Sequence, residues 1–168
     1  MDPNIRIIEV QSVNEYVNEL SQLLKEVVDL GASIGFLPPL SLVAARHYWE
    51  NVLEPGVILY VAMKNGKIAG TIQLHLCQKQ NGLHRAEIAK LLTHPEYRRN
   101  GIARALLKEA EDRAKTEERS LLVLDTREGD PSNRLYISVG YIEAGKIPFY
   151  CISENGQLDP TVIYYKYF

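Results

Sequence analysis

The sequence predicts a single α/β domain built on a mixed, partly parallel sheet with helices on its faces. In the second half of the chain, segments with strand and helix patterns alternate, which is typical of strands joined by helical crossovers. In the first half, two strand-like runs flank Asn65-Gly66, a strong signal for an antiparallel hairpin. A length of 168 residues suits one domain, and no linker, repeat or low-complexity segment interrupts positions 1–168.

A strand and two helices open the chain. Ile5–Val10 predicts a short strand, and Ser12-x-x-Glu15 matches a capping box that would start an amphipathic helix. That helix is expected to end at Gly31, because the stretch beginning there, GASIGFLPPL, holds two glycines and two prolines. Ser41 then caps a second helix, whose apolar side is Leu42, Ala45, Trp49, Val52 and Leu53. This helix pair suits either a wall beside a substrate or simple packing.

The remaining elements bring the prediction to seven strands and four helices. The further strands are Val57–Met63, Ile68–Leu76, the first part of Arg85–Lys108, Leu121–Thr126, Tyr141–Ile147 and Thr161–Tyr167. Asp130-Pro131 provides a cap and a first-position proline for the helix Ser132–Val139, which ends before Gly140. Asn155-Gly156 lies in the connection before the last strand.

The stretch Arg85–Lys108 indicates a strand, a short turn and a helix, and we expect the rest of the chain to be arranged around it. The apolar residues of the strand do not alternate cleanly, which favours a bulge, and bulges tend to lie beside active sites. The helix signal is strong, because four small or apolar residues fall on one face with a 3.6-residue period: Ala103, Leu107, Ala110 and Ala114.

The turn Arg98–Ala103 has the chemistry of a pyrophosphate site. Gly101 allows the backbone to approach a ligand closely, and the first N–H groups of the helix have no internal partner. The helix dipole and the charges of Arg98 and Arg99 favour an anion there, and Ala103 leaves room for it. An ordinary loop with a solvated arginine pair is the alternative.

Composition and charge exclude several classes of function. A net charge of −2 and a pI near 6.1 argue against nucleic acid as a partner. The N-terminus has no long apolar run, so we expect neither a signal peptide nor a membrane span. We therefore expect a cytoplasmic location. Cys77 and Cys151 lie outside any CxxC pattern and are expected to be buried, reduced thiols. The four histidines lack metal-ligand spacing, so no metal site is expected.

Arg98-x-x-Gly101-x-Ala103, after a strand and opening a helix, resembles the acyl-CoA motif of the GNAT superfamily of N-acetyltransferases. The resemblance implies the GNAT fold, a mostly antiparallel sheet of about seven strands with a parallel, splayed central pair and about four flanking helices. It implies acetyl-CoA as cofactor, with CoA as product. The pyrophosphate would bind Arg98, Arg99, Asn100, Gly101, Ile102, Ala103 and Arg104. Main-chain groups of Leu91, Leu92 and Thr93 would align the pantetheine and polarise the thioester carbonyl.

A second segment, Asn133-x-x-Tyr136 with Gly140-Tyr141 following, resembles the segment after the fifth strand of GNAT enzymes. By that resemblance Asn133 would bind the pantetheine arm and Tyr136 would point at the thioester sulfur. A neutral phenol with a pKa near ~10 can protonate a departing thiolate whose conjugate pKa is near ~8.5. Because the chain holds ten tyrosines, packing is the alternative for any one of them.

Two carboxylates occupy positions where a base for the acceptor amine is expected. Glu87 lies within the central strand and Asp125 lies at the end of LLVLDT. An acid among apolar strand residues is costly to bury unless it is paired or hydrated, so both are candidate amine ligands and bases. The alternatives are a salt bridge from Glu87 to Arg85 or Lys90, and a turn cap for Asp125. Which of the two acids is the base stays open.

A closer likeness extends from about Leu24 to Lys166. GASIGF, CQKQNGLHRAE, LLVLDT and the tail IPFYCISENGQLDPTVIYYK resemble a tabtoxin-resistance acetyltransferase, a GNAT enzyme that acetylates an amino-acid-like β-lactam toxin. By this resemblance Gly31, Ser33 and Phe36 would lie by the acceptor pocket, and toxin resistance becomes a candidate role. Shared fold and cofactor do not by themselves imply a shared substrate.

The sequence therefore predicts an acetyl-CoA-dependent N-acetyltransferase in which a small-molecule amine attacks the thioester directly in a ternary complex. A protein or peptide N-acetyltransferase would share every cofactor feature, and a non-catalytic acyl-CoA sensor would bind CoA without turnover. A plain nucleotide-binding domain is disfavoured, because Gly-x-Gly-x-x-Gly and a phosphate-loop Lys-Ser/Thr are absent from the sequence. Both a monomer and a homodimer are compatible with the pattern.

Overall fold

The structure of the chain, a computed structural model, describes residues 4–168. The strands are β1 (Ile5–Glu9), β2 (Val57–Lys64), β3 (Lys67–Leu76), β4 (Arg85–Thr93), β5 (Leu121–Arg127), β6 (Ile142–Ile152) and β7 (Leu158–Tyr167). The helices are α1 (Val17–Asp29), α2 (Leu42–Glu50), α3 (Ile102–Thr116) and α4 (Ser132–Ser138). Two short 3₁₀ turns, Gln80–Gly82 and Pro95–Tyr97, flank β4.

The seven strands form one mixed sheet in the order β1-β2-β3-β4-β5-β7-β6. Every neighbouring pair is antiparallel except β4 and β5, which run parallel. The ladder between these two strands is short, since Arg85–Glu87 pair with Leu121–Val123 and the pairing stops there. The strands separate beyond that point, which confirms the predicted sheet with its splayed central pair.

The predicted bulge is present in β4. Thr71 of β3 lies opposite Leu92, whereas Gln73, two residues further on, lies opposite Ala89, three residues back along β4. The extra residue falls at Lys90-Leu91, and Lys90 has a positive φ of 49°, as the first residue does in one class of bulge. The Thr71 hydroxyl donates to the Lys90 carbonyl at 2.9 Å, which holds the bulge in place.

Helices cover both faces of the sheet. The β2 residues alternate between two cores: Tyr60 and Ala62 pack on the side of α3, while Leu59 and Val61 pack beneath α1 and α2. The α3 side also contains Leu106 and the tyrosines 136, 141 and 164, and the other side contains the fully buried Trp49. Because β2 is buried on both faces, its sequence is a nearly continuous apolar run.

Two predicted N-terminal helix caps are wrong, although α4 does begin at Ser132 as predicted. The Ser12 capping box does not form: α1 begins at Val17 behind Tyr16, and the Ser12 hydroxyl accepts only a long 3.4 Å bond from the Asn14 N–H. The chain first turns through Val13, whose side chain is buried, and this delays the helix. Asp130 does not cap α4, because its carboxylate accepts from the Arg127 guanidinium instead.

The last hairpin is longer than the sequence pattern indicates. The strand β6 continues to Ile152 and β7 begins at Leu158, so the turn at Asn155-Gly156 closes a hairpin. Proline in a strand pattern argues against a strand, and Pro148 and Pro160 fall in these extensions. Here β6 is an edge strand with a pairing irregularity between Ile147 and Cys151, where a missing N–H is tolerated.

Other predicted features are confirmed or adjusted. Ser41 caps α2 by accepting from the Ala44 N–H at 3.1 Å. Gly31 ends the first helix with φ of 88°, and Ala32 N–H donates to Val27 O at 3.0 Å to close the terminus. Cys77 and Cys151 are free thiols as expected, but both are half-buried rather than buried. No helix within residues 4–168 combines the length and the apolar character that crossing a bilayer requires.

Gly70 determines how closely α3 approaches the sheet. A Cβ built on Gly70 would lie 2.6 Å from the Leu92 carbonyl oxygen and 2.9 Å from Cγ2 of Ile102. The first contact is to backbone beside the β4 bulge, which cannot rotate away. The position therefore requires glycine so that the first turn of α3 can pack against β3 and β4.

We expect Gly70→Ala to lower the free energy of unfolding by about 1–3 kcal/mol, because overpacking in a filled core is not relieved by small shifts. Urea unfolding measures the change. Gly66→Ala is the matched control: its φ is 77° but the space around it is open, so only backbone strain of about 1 kcal/mol is expected. A loss at Gly70 no larger than that at Gly66 would contradict the close-packing argument.

Candidate active site

An open cleft of about 190 Å³ lies where β4 and β5 separate. Its walls come from four strands and consist of Glu87, Val123, Leu124, Asp125, Tyr150, Thr161 and Ile163. Two acids, a hydroxyl and an aromatic ring therefore surround a space otherwise lined by apolar side chains. Such a combination of apolar walls and a few polar groups is typical of a small-molecule site.

Both candidate bases line this cleft and are exposed to solvent there. Asp125 Oδ2 accepts a 2.7 Å hydrogen bond from Thr161 Oγ1 of β7, so it is oriented by a strand neighbour and does not cap a turn. Within residues 4–168, Glu87 forms no ion pair with Arg85 or Lys90. Neither structural alternative for these acids is found, and both carboxylates remain available to a ligand.

The β4 bulge adds Lys90, which sequence reasoning treated only as a possible partner of Glu87. Its Nζ lies 5.8 Å from the centre of the Tyr48 ring. Burial lowers the pKa of the Lys90 ammonium below its ordinary value, while the negative charges of Glu87 and Asp125 oppose that shift. The sequence signal that could have found it is a lysine at the point where strand alternation fails.

Three hydrogen-bonded side chains, one from α2 and two from β3, form a row beside the two acids. Gln73 Nε2 donates to Tyr48 Oη at 2.8 Å, and Gln73 Oε1 lies 2.8 Å from His75 Nε2. His75 lies directly opposite Glu87 in the β3–β4 ladder. Burial lowers the pKa of His75, and the charge of Glu87 partly offsets this. The alternation in β3 hid this row, because polar residues in such a pattern are expected to face solvent, yet Gln73 is 1% exposed.

Tyr136 of α4 is buried against two other tyrosines. Its ring centre lies 5.8 Å from that of Tyr141 and 5.9 Å from that of Tyr164. Its hydroxyl forms no hydrogen bond with the described residues and is not among their fully enclosed unpaired atoms, so it faces accessible space. Burial raises the pKa of the Tyr136 phenol well above its usual value, and the charge of Asp125 raises it further. The phenol is therefore neutral and can donate a proton.

Asn133 is held by the protein itself. Its Nδ2 donates to the carbonyls of Arg127 and Asp130, each at 2.9 Å, and its Oδ1 accepts from Tyr164 Oη at 2.9 Å. Both amide hydrogens are thereby used, and only one acceptor position on Oδ1 is left. The side chain ties the end of β5 to α4 and β7, which positions Tyr136 three residues further on.

The predicted anion cradle has an open geometry. Arg98, Arg99, Asn100 and Gly101 are exposed, and a Cβ built on Gly101 would meet nothing within 4 Å. The α3 ladder starts with the bond from Ala105 N–H to Gly101 O at 3.0 Å. The N–H groups of Ile102, Ala103 and Arg104 precede that bond and project from the helix terminus, where the dipole favours an anion.

The cradle is also held at its edges. Asn100 Oδ1 accepts from Lys64 Nζ at 2.8 Å, and Arg104 donates to Ser138 Oγ at 3.0 Å. Ile102 is buried and anchors the terminus, whereas Ala103 is half-buried and leaves space above it. Upstream, Leu92 is buried in the core under α1, while Leu91 and Thr93 are half-buried just beyond the bulge. The strand segment and the cradle thus lie on one continuous surface of the chain.

The three residues expected beside the acceptor pocket lie together, away from the cleft. Gly31, Ser33 and Phe36 line a separate small cavity with Arg127, not the cleft that holds the two acids. Arg127 Nη2 donates to the Gly31 carbonyl at 3.0 Å. Phe36 also packs edge-on against Tyr48 at 5.3 Å, so it is the one closest to the Lys90 side of the site.

Comparison with known proteins gives a consistent result. Residues 21–141 match the acetyltransferase (GNAT) family model. An uncharacterized N-acetyltransferase from the hisH-hisA intergenic region of Azospirillum brasilense is 30% identical over 115 residues, 67% of this chain and 68% of that protein. An aminoalkylphosphonate N-acetyltransferase of Salmonella typhimurium is 34% identical over 96 residues, 54% of this chain and 60% of that protein.

A solved structure shares the fold. The Salmonella typhimurium putative acetyltransferase YncA, determined with its cofactor acetyl-CoA, superposes with a TM-score of 0.80 at 16% identity. The match covers 98% of this chain and 94% of that one. Within residues 4–168, no group of three or more His, Cys, Asp or Glu side chains is placed to hold a metal ion.

We expect Asn133→Ala to lower the free energy of unfolding by about 2–4 kcal/mol, because it removes three hydrogen bonds at once and leaves the buried Tyr164 hydroxyl without its partner. Tyr164→Phe is the matched control: it removes only one of the three bonds and should cost about 1 kcal/mol. Urea unfolding of both variants measures the difference. Equal losses would show that Asn133 does not hold β5, α4 and β7 together.

A second prediction concerns pH. Because the pKa of His75 is lowered in the folded state, the unfolded chain binds a proton more readily below the ordinary value of ~6.5. The free energy of unfolding should therefore fall as the pH drops through this range, and His75→Gln should remove that part of the fall. Urea unfolding at about pH 7.5 and about pH 5 tests this. An equal pH dependence in both proteins would contradict it.

Proposed function

The chain belongs to the acetyltransferase (GNAT) family, and we propose that it transfers the acetyl group of acetyl-CoA to the amine of a small molecule. It is an N-acetyltransferase, and acetyl-CoA is its cosubstrate. The observation that carries the acceptor assignment is the cleft between β4 and β5, where two carboxylates that form no ion pair with residues 4–168 face a space of about 190 Å³. Tyr136 is close enough for the charge of Asp125 to act on its phenol. We assign the base to one of these two acids and the general acid to Tyr136.

The cradle Arg98–Arg104 would bind the pyrophosphate of the cosubstrate. The N–H groups at the α3 terminus supply directed donors, and the exposed Arg98 and Arg99 supply full charges. The open space at Gly101 fits a group as bulky as pyrophosphate, which supports this assignment. Main-chain groups of Leu91–Thr93 would then align the pantetheine arm toward the cleft.

Asn133 fits its expected role toward the pantetheine less well. Both of its amide hydrogens already bond carbonyls of the protein, so only the free acceptor position on Oδ1 is available to the cosubstrate. We therefore propose that Asn133 acts mainly through position, by fixing the start of α4 so that Tyr136 faces the reacting atoms.

The acceptor amine arrives mostly protonated at neutral pH, so the site must bind a cation and then remove a proton. Glu87 and Asp125 would bind the ammonium, and one of them would take the proton directly or through a water molecule. Thr161 orients Asp125 for this task through the 2.7 Å hydrogen bond. The neutral amine nitrogen then attacks the thioester carbonyl carbon within the ternary complex.

As the new C–N bond forms, the C–S bond breaks and a thiolate leaves. Tyr136 would protonate that sulfur, because its phenol is neutral and its hydroxyl has no hydrogen-bond partner in the described part of the chain. Positioning of the two reactants supplies much of the rate in such a direct transfer. An acyl-enzyme is not needed, and Cys151 contacts Ser33 rather than a histidine base.

The acceptor is proposed to be a compact, amino-acid-like amine, with a toxin or antibiotic as the specific case. The tabtoxin-resistance likeness in GASIGF, LLVLDT and the C-terminal tail supports this, and so does the aminoalkylphosphonate named for one relative. A peptide N-terminus is the main alternative, and the size of the cleft favours a substrate with few atoms. Such a reaction is consistent with the cytoplasm, where acetyl-CoA is made available.

We expect Tyr136→Phe to reduce kcat roughly 10²-fold while KM for acetyl-CoA changes by less than about twofold. Thiol release from acetyl-CoA against a panel of small amines measures both constants. Tyr141→Phe is the matched control, because Tyr141 is also buried in the tyrosine cluster but its hydroxyl is fully enclosed. That variant should retain most of the wild-type kcat.

Two results would overturn parts of this proposal. If the wild type binds CoA but releases no thiol with any amine or peptide, the chain is a sensor and not a catalyst. If both tyrosine variants lose activity equally, the effect comes from packing, and Tyr136 is not the acid that protonates sulfur.

A further inference from the structure

We propose that Lys90 binds an anionic group of the acceptor, so that the substrate is a compact amine that also carries a carboxylate or phosphonate. This inference rests on the proposed function, since it names the second charge of the molecule whose amine is acetylated. It concerns a residue that the acetyl-transfer step itself does not use.

The first argument is the lack of a partner for the Lys90 ammonium. Lys90 is half-buried, yet across residues 4–168 its Nζ takes part in no hydrogen bond and no ion pair within 4 Å. Its one neighbour of note is the Tyr48 ring at 5.8 Å. A partly desolvated charge without a direct counter-ion is unfavourable, and an anionic ligand would relieve that cost.

The second argument is the space around the ammonium. A Cβ built on Gly35 would lie 3.6 Å from Lys90 Nζ, so the absence of a side chain there leaves room beside the charge. Gly35 belongs to the loop between α1 and α2, and Phe36 of the same loop packs on Tyr48. The ammonium is thus surrounded by an aromatic ring and an open backbone position rather than by protein acceptors.

The third argument is the balance of charge in the site. The charges of Glu87 and Asp125 both act on Lys90, which places all three in one electrostatic neighbourhood. A simple alkylamine arrives as a cation and is repelled by Lys90 as it approaches the acids. An amine that also bears an anion can direct each of its charges to a group of opposite sign, which favours this class over the simple alkylamine.

Arg127, a second cation near this end of the sheet, already donates its hydrogen bonds to groups of the protein. Its guanidinium donates to Asp130 Oδ1, to Ser153 Oγ at 2.9 Å and to the Gly31 carbonyl at 3.0 Å. It therefore serves to hold the loop at Gly31 and the β6–β7 hairpin. Of these two cations, Lys90 is the one without a bonded partner among residues 4–168.

The test compares acceptors that differ only in the second charge. Thiol release is measured with 2-aminoethylphosphonate and β-alanine, and with n-propylamine as the amine without an anion. The variants are Lys90→Met, which keeps the length of the side chain and removes its charge, and Lys90→Arg, which keeps the charge. Lys67→Met, at the exposed end of the β2–β3 hairpin, is the matched control.

We expect the wild type to favour the anionic amines and Lys90→Met to raise their KM roughly 10- to 100-fold, with little change for n-propylamine. Lys90→Arg should restore part of the preference, and Lys67→Met should leave it unchanged. A wild type without preference for anionic amines, or an equal loss on all three acceptors in Lys90→Met, would overturn the role of Lys90 while the proposed function stands.

Calorimetric titration of 2-aminoethylphosphonate and β-alanine into the CoA-bound protein tests the anion site at Lys90 separately from the proposed acetyl transfer. Binding that depends on Lys90, together with no thiol release from any amine or peptide, would support the anion site and overturn the proposed function. An absence of both binding and turnover with these two probes would overturn the anion site, and the proposed function stands as long as another amine releases thiol.

Discussion

The short parallel ladder between β4 and β5 is the constraint on which the site depends. Three residues of each strand pair, and the bulge at Lys90-Leu91 then bends β4 away from its neighbour. Without that divergence, the backbone groups of β4 and β5 would satisfy one another and no cleft would exist. Glu87 and Asp125 lie beside the point of separation, so the feature that opens the sheet also exposes both acids. The bulge further directs Lys90 toward the loop between α1 and α2.

The same divergence connects the two ends of the reaction. Beyond the bulge, β4 leads through a single 3₁₀ turn into the cradle at the start of α3. Gly70 allows that helix to pack closely on the sheet, and Ile102 anchors its first turn in the core. One continuous strand–turn–helix segment therefore connects the proposed cosubstrate and acceptor ends and would hold them in register. Precise relative placement of two reactants is what a direct transfer requires.

The fold and the cosubstrate end were predictable because local patterns determine them. The Asn65-Gly66 hairpin, the Ser41 cap and the bulge each follow from a few neighbouring residues, and the structure confirms them. The acceptor end was less predictable, because it is assembled from residues far apart in the chain. The row from Tyr48 through Gln73 to His75 consists of polar side chains on a buried face, and only the tertiary packing shows that this face is buried. The lack of a bonded partner for the Lys90 ammonium within residues 4–168 likewise depends on the tertiary structure and does not follow from the sequence pattern.

The two proposed sides of the site come from partly separable parts of the chain. The cradle and its supporting strand occupy one uninterrupted segment, 85–116, which also contributes Glu87 and Lys90 to the acceptor side, whereas the rest of the acceptor side draws on the α1–α2 loop and on the β6–β7 hairpin. Changes in the loop or the hairpin can therefore reshape substrate preference while the donor end keeps its geometry. With this division, acceptor specificity can change one substitution at a time in evolution, because each such substitution leaves the binding of acetyl-CoA unchanged. Gly35 itself is constrained, because its φ of 91° strains any side chain placed there, so the open space beside Lys90 is maintained by the backbone of the loop.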